Sequence, residues 1–273
     1  MRYIFLLLLS IHLYAYERII ALSPSINEII FALGQGDKIV GNTNFCNYPE
    51  ESKKKTKVGG YFSPNLEKIL SLEPDIVIMM QQSKSLAKKL NKLGIKTKLL
   101  KLTTLKDIQT SITQIGKILE EKEKAQIILN TIQERLSNLK GIISNKKILI
   151  VIGAYSSLEK RVFVVGQNLY LDDIIVQSGN VNALQSKRKG QPVLNMENII
   201  ATNPDIVILL SPYRKSKNLS KDDLIQPWLK LPIQAAKNKT IFVEDNEYAG
   251  ISSHRLVYFL DDFKEYLSDV KNR

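Results

Sequence analysis

Asn65-Leu66-Glu67-Lys68-Ile69-Leu70-Ser71-Leu72-Glu73-Pro74-Asp75-Ile76-Val77-Ile78-Met79-Met80 returns later in the same chain as Asn195-Met196-Glu197-Asn198-Ile199-Ile200-Ala201-Thr202-Asn203-Pro204-Asp205-Ile206-Val207-Ile208-Leu209-Leu210. The offset is 130 residues throughout. A period that long exceeds any solenoid unit and matches a whole α/β lobe. The chain therefore reads as two lobes of related design, each with an acidic residue at an equivalent place, and a ligand site is expected in the cleft between them.

Each copy has a physical reading. Asn is a good N-cap, so Asn65 and Asn195 can each open a helix, with Ser63-Pro64 as a competing cap and first turn in the first copy. Glu67 and Glu197 then fall in the first turn, where the helix dipole favours an anion. Leu66, Ile69 and Leu70, and likewise Met196, Ile199 and Ile200, keep helical spacing. Proline pushes the residue before it towards an extended conformation, so the helices stop by Glu73 and Asn203. The unbroken apolar runs Ile76 to Met80 and Ile206 to Leu210 suit parallel strands covered on both faces.

Working outward, Arg18 to Leu22 reads as a strand and Ser23 opens a helix that runs to Leu33. Lys38 to Gly41 and Thr97 to Leu100 are further strands, with an amphipathic helix near Leu86 to Leu93. In the second lobe Lys147 to Ile152, Val162 to Val165 and Thr240 to Val243 read as strands. Leu169 to Ser178, the neighbourhood of Trp228 and Ser253 to Leu267 read as helices. Strands alternating with helices predict parallel sheets. Between the lobes, Thr104 can cap a helix whose apolar stripe runs from Leu105 to Leu139 without a proline. At 1.5 Å per residue it is about 50 Å long, a stiff rod. The predicted fold is α/β: two lobes with parallel-type sheets flanked by helices, joined by one long bridging helix. Its boundaries are 16–103, 104–140 and 141–273.

Residues 1–15 read as a signal peptide, with Arg2 as the basic start, Ile4 to Leu13 as the apolar stretch and Ala15 as the small residue before the cut. The stretch is short for a membrane span, though an uncleaved anchor is the alternative. No cysteine follows closely enough to carry a lipid, so the expected location is the periplasm. Cys46 is the only cysteine, which excludes an intramolecular disulfide. The formal charge of +12 comes from 39 basic and 27 acidic residues. With only Lys53-Lys54-Lys55 and Lys187-Arg188-Lys189 dense and no nucleic-acid motif, the charge reads as a solvated or anion-attracting surface, with no nucleic-acid partner.

Taken in order, Arg18-Ile19-Ile20-Ala21-Leu22-Ser23-Pro24-Ser25-Ile26-Asn27-Glu28, Tyr48-Pro49, Val58-Gly59-Gly60-Tyr61 and both repeat copies resemble the periplasmic binding proteins that deliver metal chelates to ABC importers. The chelates are vitamin B12, ferric siderophores and haem, and the chain resembles the vitamin B12-binding type. The resemblance spans essentially all of residues 18–273. It implies a class III binding protein: a shallow interlobe cleft, modest closure, no intrinsic cofactor, a monomer, and a permease dimer as partner. It also implies that one glutamate per lobe docks on the permease, and Glu67 and Glu197 occupy those positions. Their alternative role is that of favourable first-turn acids.

Ligand-binding residues are expected on loops at strand ends, where open α/β sheets bind their ligands. In the first lobe these are Ser23, Phe45, Tyr61 and Phe62. Tyr61 could stack on a flat macrocycle or, ionised, ligate Fe(III); the alternative is a tyrosine bridging core and solvent. In the second lobe they are Tyr155, Arg188, Tyr213 and Tyr248, with Arg214 as a further anion-binding candidate. His254, the only histidine beyond the signal segment, could serve as a single axial ligand to haem or a corrinoid, or simply start a helix. A lone histidine cannot build the cage of a bare zinc or manganese receptor. Cobalamin is the favoured ligand, with ferric siderophore and haem close behind. Two readings from other classes compete. One is a basic secreted or anchored protein binding anionic polymers. The other, less favoured, is an enzyme using Cys46 with His254, although no nucleophile elbow accompanies them.

Overall fold

The computed structural model describes residues 16–60, 62–186 and 191–273. The expected segment 1–15, Tyr61 and Arg188 lie outside the described residues. Five strands form the first sheet: β1 (Ile19–Ala21), β2 (Ile39–Asn42), β3 (Thr56–Lys57), β4 (Ile76–Met80) and β5 (Lys96–Leu100). Their order is β3-β2-β1-β4-β5, and every pair is parallel. The second sheet contains β6 (Lys147–Ile152), β7 (Val162–Val164), β8 (Val181–Asn182), β9 (Val193–Leu194), β10 (Ile206–Leu210) and β11 (Ile241–Glu244). Its order is β11-β10-β6-β7-β9, with β8 also on β6. Only the short β7 and β9 run antiparallel to their neighbours.

The repeat is structural. Asn65 Oδ1 accepts the Lys68 N–H at 2.9 Å and Asn195 Oδ1 accepts that of Asn198 at 3.0 Å, so asparagine caps both helices. These helices span Leu66–Ser71 and Met196–Thr202, and each buries one isoleucine completely, Ile69 and Ile199. Glu73 and Asn203 differ from the extended conformation expected before proline: both are left-handed, at φ 41°. Proline excludes the right-handed helical region for its predecessor, and the tight entry into the strand selects the left-handed one. The aspartate that follows has a definite task. Asp75 Oδ2 accepts the Glu17 and Arg18 N–H groups at 2.9 and 2.8 Å, and Asp205 Oδ2 accepts that of Lys147 at 2.8 Å. Each copy thus fastens its own strand to the neighbouring central strand, pairing Ile76 with Ile19 and Ile206 with Ile148.

Alternation along the strands divides the core. Ile76 and Ile78 face a core that both lobes share, with Ile19, Ile26, Ile148, Ile208 and Phe259. Val77 and Met79 face a separate cluster with Ala87 and Leu90 on the outer side of the first sheet, while Val207, Leu209 and Trp228 do the same in the second lobe. Strands buried on both faces have no polar side to show, which explains the unbroken apolar runs.

The segment between the lobes is helical and joins both, but it is two helices rather than one rod: Leu105–Ile118 and Lys122–Ser137. Thr104 and Asp107 form a capping box at the start. At the break Glu120 is left-handed (φ 61°), the Glu121 N–H bonds to Gly116 O at 2.7 Å, and the Glu120 N–H reaches back to Lys117 O. That is a Schellman ending with glutamate where glycine is usual. Packing holds it. A Cβ on Gly116 would lie 2.5 Å from the Ala125 Cβ, so the second helix folds back against the first only because residue 116 is glycine. Gln35 and Lys124 tie the break to the first lobe through Glu121 and Leu33 O.

Candidate functional site

The loops that leave the strand ends of the two sheets converge. Behind β1, Ser23 caps the helix Pro24–Ala32, accepting the Ile26 N–H at 3.2 Å. Ser25 on that helix meets Ser252 of the second lobe, oxygen to oxygen at 3.1 Å. One turn on, Glu28 receives Arg255 Nε at 3.0 Å, Arg255 Nη2 at 2.5 Å and the Ser253 hydroxyl at 2.5 Å. Glu28 is 1 % exposed and Arg255 6 %. The Arg255 guanidinium also lies 3.9 Å from the centre of the Tyr48 ring, from the loop behind β2, a cation–π contact. The lobes are therefore pinned at the base of the cleft by a buried ion pair that no local sequence signal marks.

The loop behind β2 is itself locked. Lys57 Nζ donates to Asn42 Oδ1 (2.8 Å), Cys46 O (3.0 Å) and Ser52 O (3.1 Å), and Asn27 Nδ2 donates to Ser52 Oγ (2.8 Å) and Tyr48 O (3.0 Å). Cys46 is buried within this network, 3.2 Å from the Thr43 hydroxyl, and burial pushes its thiol up. A buried protonated thiol is a packing group, not a nucleophile. The same locked loop presents Phe45 outward, 60 % exposed.

The other expected residues fall into two groups. Phe62 (88 % exposed) and Tyr213 (63 % exposed) present rings to solvent at strand ends of the first and second lobe. Phe62 borders a hollow of about 300 Å³ together with Met80, Gln82, Ser83, Leu86 and Lys89. In the second group the side chains are already engaged. Tyr155 packs on the second-lobe core and its hydroxyl accepts the Phe163 N–H at 3.2 Å. The Tyr248 hydroxyl donates to Asp262 Oδ2 at 2.6 Å, and burial with that carboxylate raises its pKa. Arg214 is bound to Asp245 and to Leu219 O, which leaves the anion-binding role expected of it without a free guanidinium. Ser23 is 1 % exposed, engaged as a cap rather than open to the cleft.

His254 sits between Ser253 and Arg255, on the turn that carries the ion pair with Glu28. Burial, with the Arg255 charge beside it, holds its imidazole down at about 4, so it is neutral at pH 7. Its Nδ1 is buried and has no hydrogen-bond partner among the described residues. Glu67 and Glu197 are both exposed in the first turns of the equivalent helices, and Asn195 Nδ2 holds Glu197 at 3.3 Å. Sequence reasoning missed Glu28, Arg255, Gln82 and Met80. Gln82 and Met80 carried the signal of standing at the end of a buried strand.

The chain matches the periplasmic binding protein family over residues 19–248. It is 28% identical to a vitamin B12-binding protein of Vibrio vulnificus over 98% of this chain and 97% of that one. Its fold is similar to the periplasmic vitamin B12-binding protein of Vibrio cholerae, with TM-score 0.79 at 20% identity, covering 95% of this chain and 99% of that one. It is also similar to the periplasmic haem-binding protein of Vibrio cholerae, with TM-score 0.76 at 22% identity, covering 92% and 98%.

Proposed function

The chain belongs to the periplasmic binding protein family, and from that premise we propose that it is the substrate-binding component of an ABC importer, capturing a metal chelate in the interlobe cleft. Cobalamin or a related corrinoid is the favoured ligand, with haem and ferric siderophore close behind. The observations that support this reading are exposed rings on loops of both lobes, Phe45 and Phe62 on the first and Tyr213 on the second, and a buried ion pair, Glu28–Arg255, that joins the lobes. A broad, rigid chelate can bury surface against all three, and aromatic rings supply that area at small entropic cost. Tyr61 and Arg188 complete the proposed set. The amide of Gln82 offers a donor and an acceptor beside Phe62, which suits a neutral, amide-bearing ligand. The near-complete alignment with a relative named for vitamin B12 points the same way.

His254 is neutral at pH 7, the form that ligates metal,; as an axial ligand it would distinguish haem and corrinoid from siderophore. Glu67 and Glu197 are the proposed contacts to the permease dimer, one per lobe. Residues 1–15 act as the export signal, cut near Ala15. The visible absorption spectrum of protein purified from its native periplasm tests the ligand class, since corrinoid, haem and ferric siderophore are coloured differently. Calorimetry with all three follows. Absence of micromolar binding for every one overturns the chelate reading.

A further inference from the structure

Outside the cleft, the unit that follows the first repeat gathers charge of one sign. Between Ile76 and Lys106 the sequence holds eight lysines and no aspartate or glutamate. They are spaced too widely to read as a basic run, but the fold collects them. The helix Lys84–Lys92 buries Ala87 and Leu90 against the outer face of the first sheet and leaves Lys84, Lys88, Lys89 and Lys92 exposed. Beside it β5, the edge strand, adds Lys96 and Lys98. Lys84, Lys88, Lys92 and Lys98 surround a shallow groove of about 710 Å³ between helix and strand. Among the described residues none of these six lysines is in an ion pair. Leu93 stands among them 55 % exposed. Lys96 Nζ lies 5.4 Å from the ring centre of Tyr16, the first residue after the segment 1–15.

We propose that this lysine face binds the anionic headgroups of a phospholipid bilayer. Ammonium groups are point charges that accept phosphates in any orientation, and lysines near an anionic bilayer act cumulatively. An exposed leucine within a ring of lysines matches the headgroup boundary, where apolar side chains enter and cations stay with phosphate. The groove's lining, by contrast, offers no aromatic ring on which a single-stranded nucleic acid could stack its bases,. The face also adjoins the end of the molecule where the cleft opens: Lys89 borders the Phe62 hollow and Lys84 a second hollow at the ends of β4 and β5. A molecule presenting its cleft to a membrane-embedded permease would bring the Lys84 and Lys89 end of this face towards the lipid around it. The inference holds whichever ligand fills the cleft.

Co-sedimentation of the full chain with vesicles tests it. The vesicles are phosphatidylcholine, alone or with phosphatidylglycerol, at low salt and with added salt. Binding is expected only with phosphatidylglycerol and is expected to fall as salt screens it. Replacing Lys84, Lys88, Lys92 and Lys98 together by glutamine, a good helix former, should weaken it by at least about tenfold. An equal charge loss at the exposed Lys140, Lys217, Lys230 and Lys264 should leave it unchanged. Thermal melts of both variants check the fold, and the milder K88Q/K92Q variant gives a second reading with a partial loss. Equal binding to neutral vesicles, an unaltered quadruple variant, or an equal loss in the control set overturns the proposal. So does tighter binding to soluble heparin than to anionic vesicles, which would make the occupant a polymer.

Discussion

Glu28 and Arg255, 227 positions apart in the sequence, form a buried ion pair across the lobe boundary, and Ser253 donates a third hydrogen bond to the same carboxylate. The pair joins the first helix of one lobe to the start of the last helix of the other. Both side chains are buried, so the contact between the lobes is shielded from water.

Glu28→Gln leaves the Arg255 charge buried without its counter-ion, which costs about 3–5 kcal/mol. The double change Glu28→Met with Arg255→Met should restore most of that loss, because apolar side chains carry no desolvation penalty. Urea unfolding measures both. A single variant within about 0.5 kcal/mol of the parent chain would show that the pair is dispensable.

His254 adds a pH dependence whose sign is fixed. Its folded-state pKa, about 4, is below the ordinary 6.5 because burial and Arg255 disfavour the cation. The unfolded chain therefore binds the proton first as pH falls. The stabilisation is complete above pH 6.5 and is lost progressively down to about 4,. Its size is on the order of 3 kcal/mol. Urea denaturation across that range, compared with His254→Gln, isolates the effect; parallel curves for the two chains would contradict it.

The repeat, its asparagine caps and its buried strands were legible because each rests on local chemistry or on strict periodicity. The break at Leu119–Glu121 was not. It has no proline, and the left-handed position falls on Glu120, while the glycine that permits the fold-back, Gly116, stands four residues earlier, inside a good helical pattern. Strands of two or three residues such as β7 and β9 give too short a pattern to read. Residue type and loop position, the criteria that single out the aromatic rings, cannot separate the exposed Phe62 and Tyr213 from the half-buried Tyr155 and Tyr248. Glu28 looked like an ordinary helix residue, since a contact across 227 positions leaves no local trace.

Glu67 and Glu197 are both exposed on equivalent helices and make no part of the cleft base. Under the proposed docking role, reversing both to lysine should weaken uptake by placing cations where the permease would meet these carboxylates, while ligand affinity stays within about twofold of the parent. Uptake assays beside calorimetry separate the two effects. Full uptake by the double reversal would remove these residues from the docking surface.

Closure on ligand binding should be small. The shared core, the Glu28–Arg255 pair and the break clamped by Gln35 and Lys124 all resist a hinge between the lobes. Small-angle scattering should show a change in radius of no more than about a few per cent, unlike hinge-closing receptors. Gly116→Val tests the clamp itself: its branched side chain meets Ala125 and should cost about 2–3 kcal/mol,. A stable variant with normal scattering would show that the fold-back is loosely held.

The cleft rings carry the last prediction. Phe62 is 88 % exposed beside Gln82, so its removal should leave the fold intact. Phe62→Ala and Tyr61→Ala should each lower chelate affinity by about tenfold to a hundredfold, the loss of a rigid aromatic contact of about 1–3 kcal/mol. Tyr155→Phe should act differently, through stability, because its hydroxyl accepts the Phe163 N–H; the cost is about 1 kcal/mol with affinity unchanged. His254→Ala distinguishes the ligands: an altered axial-ligand spectrum marks haem or corrinoid, and an unaltered one marks siderophore. If chelate affinity falls in Tyr155→Phe and not in Phe62→Ala, the ligand lies against the second lobe alone and the two-lobed clasp is wrong.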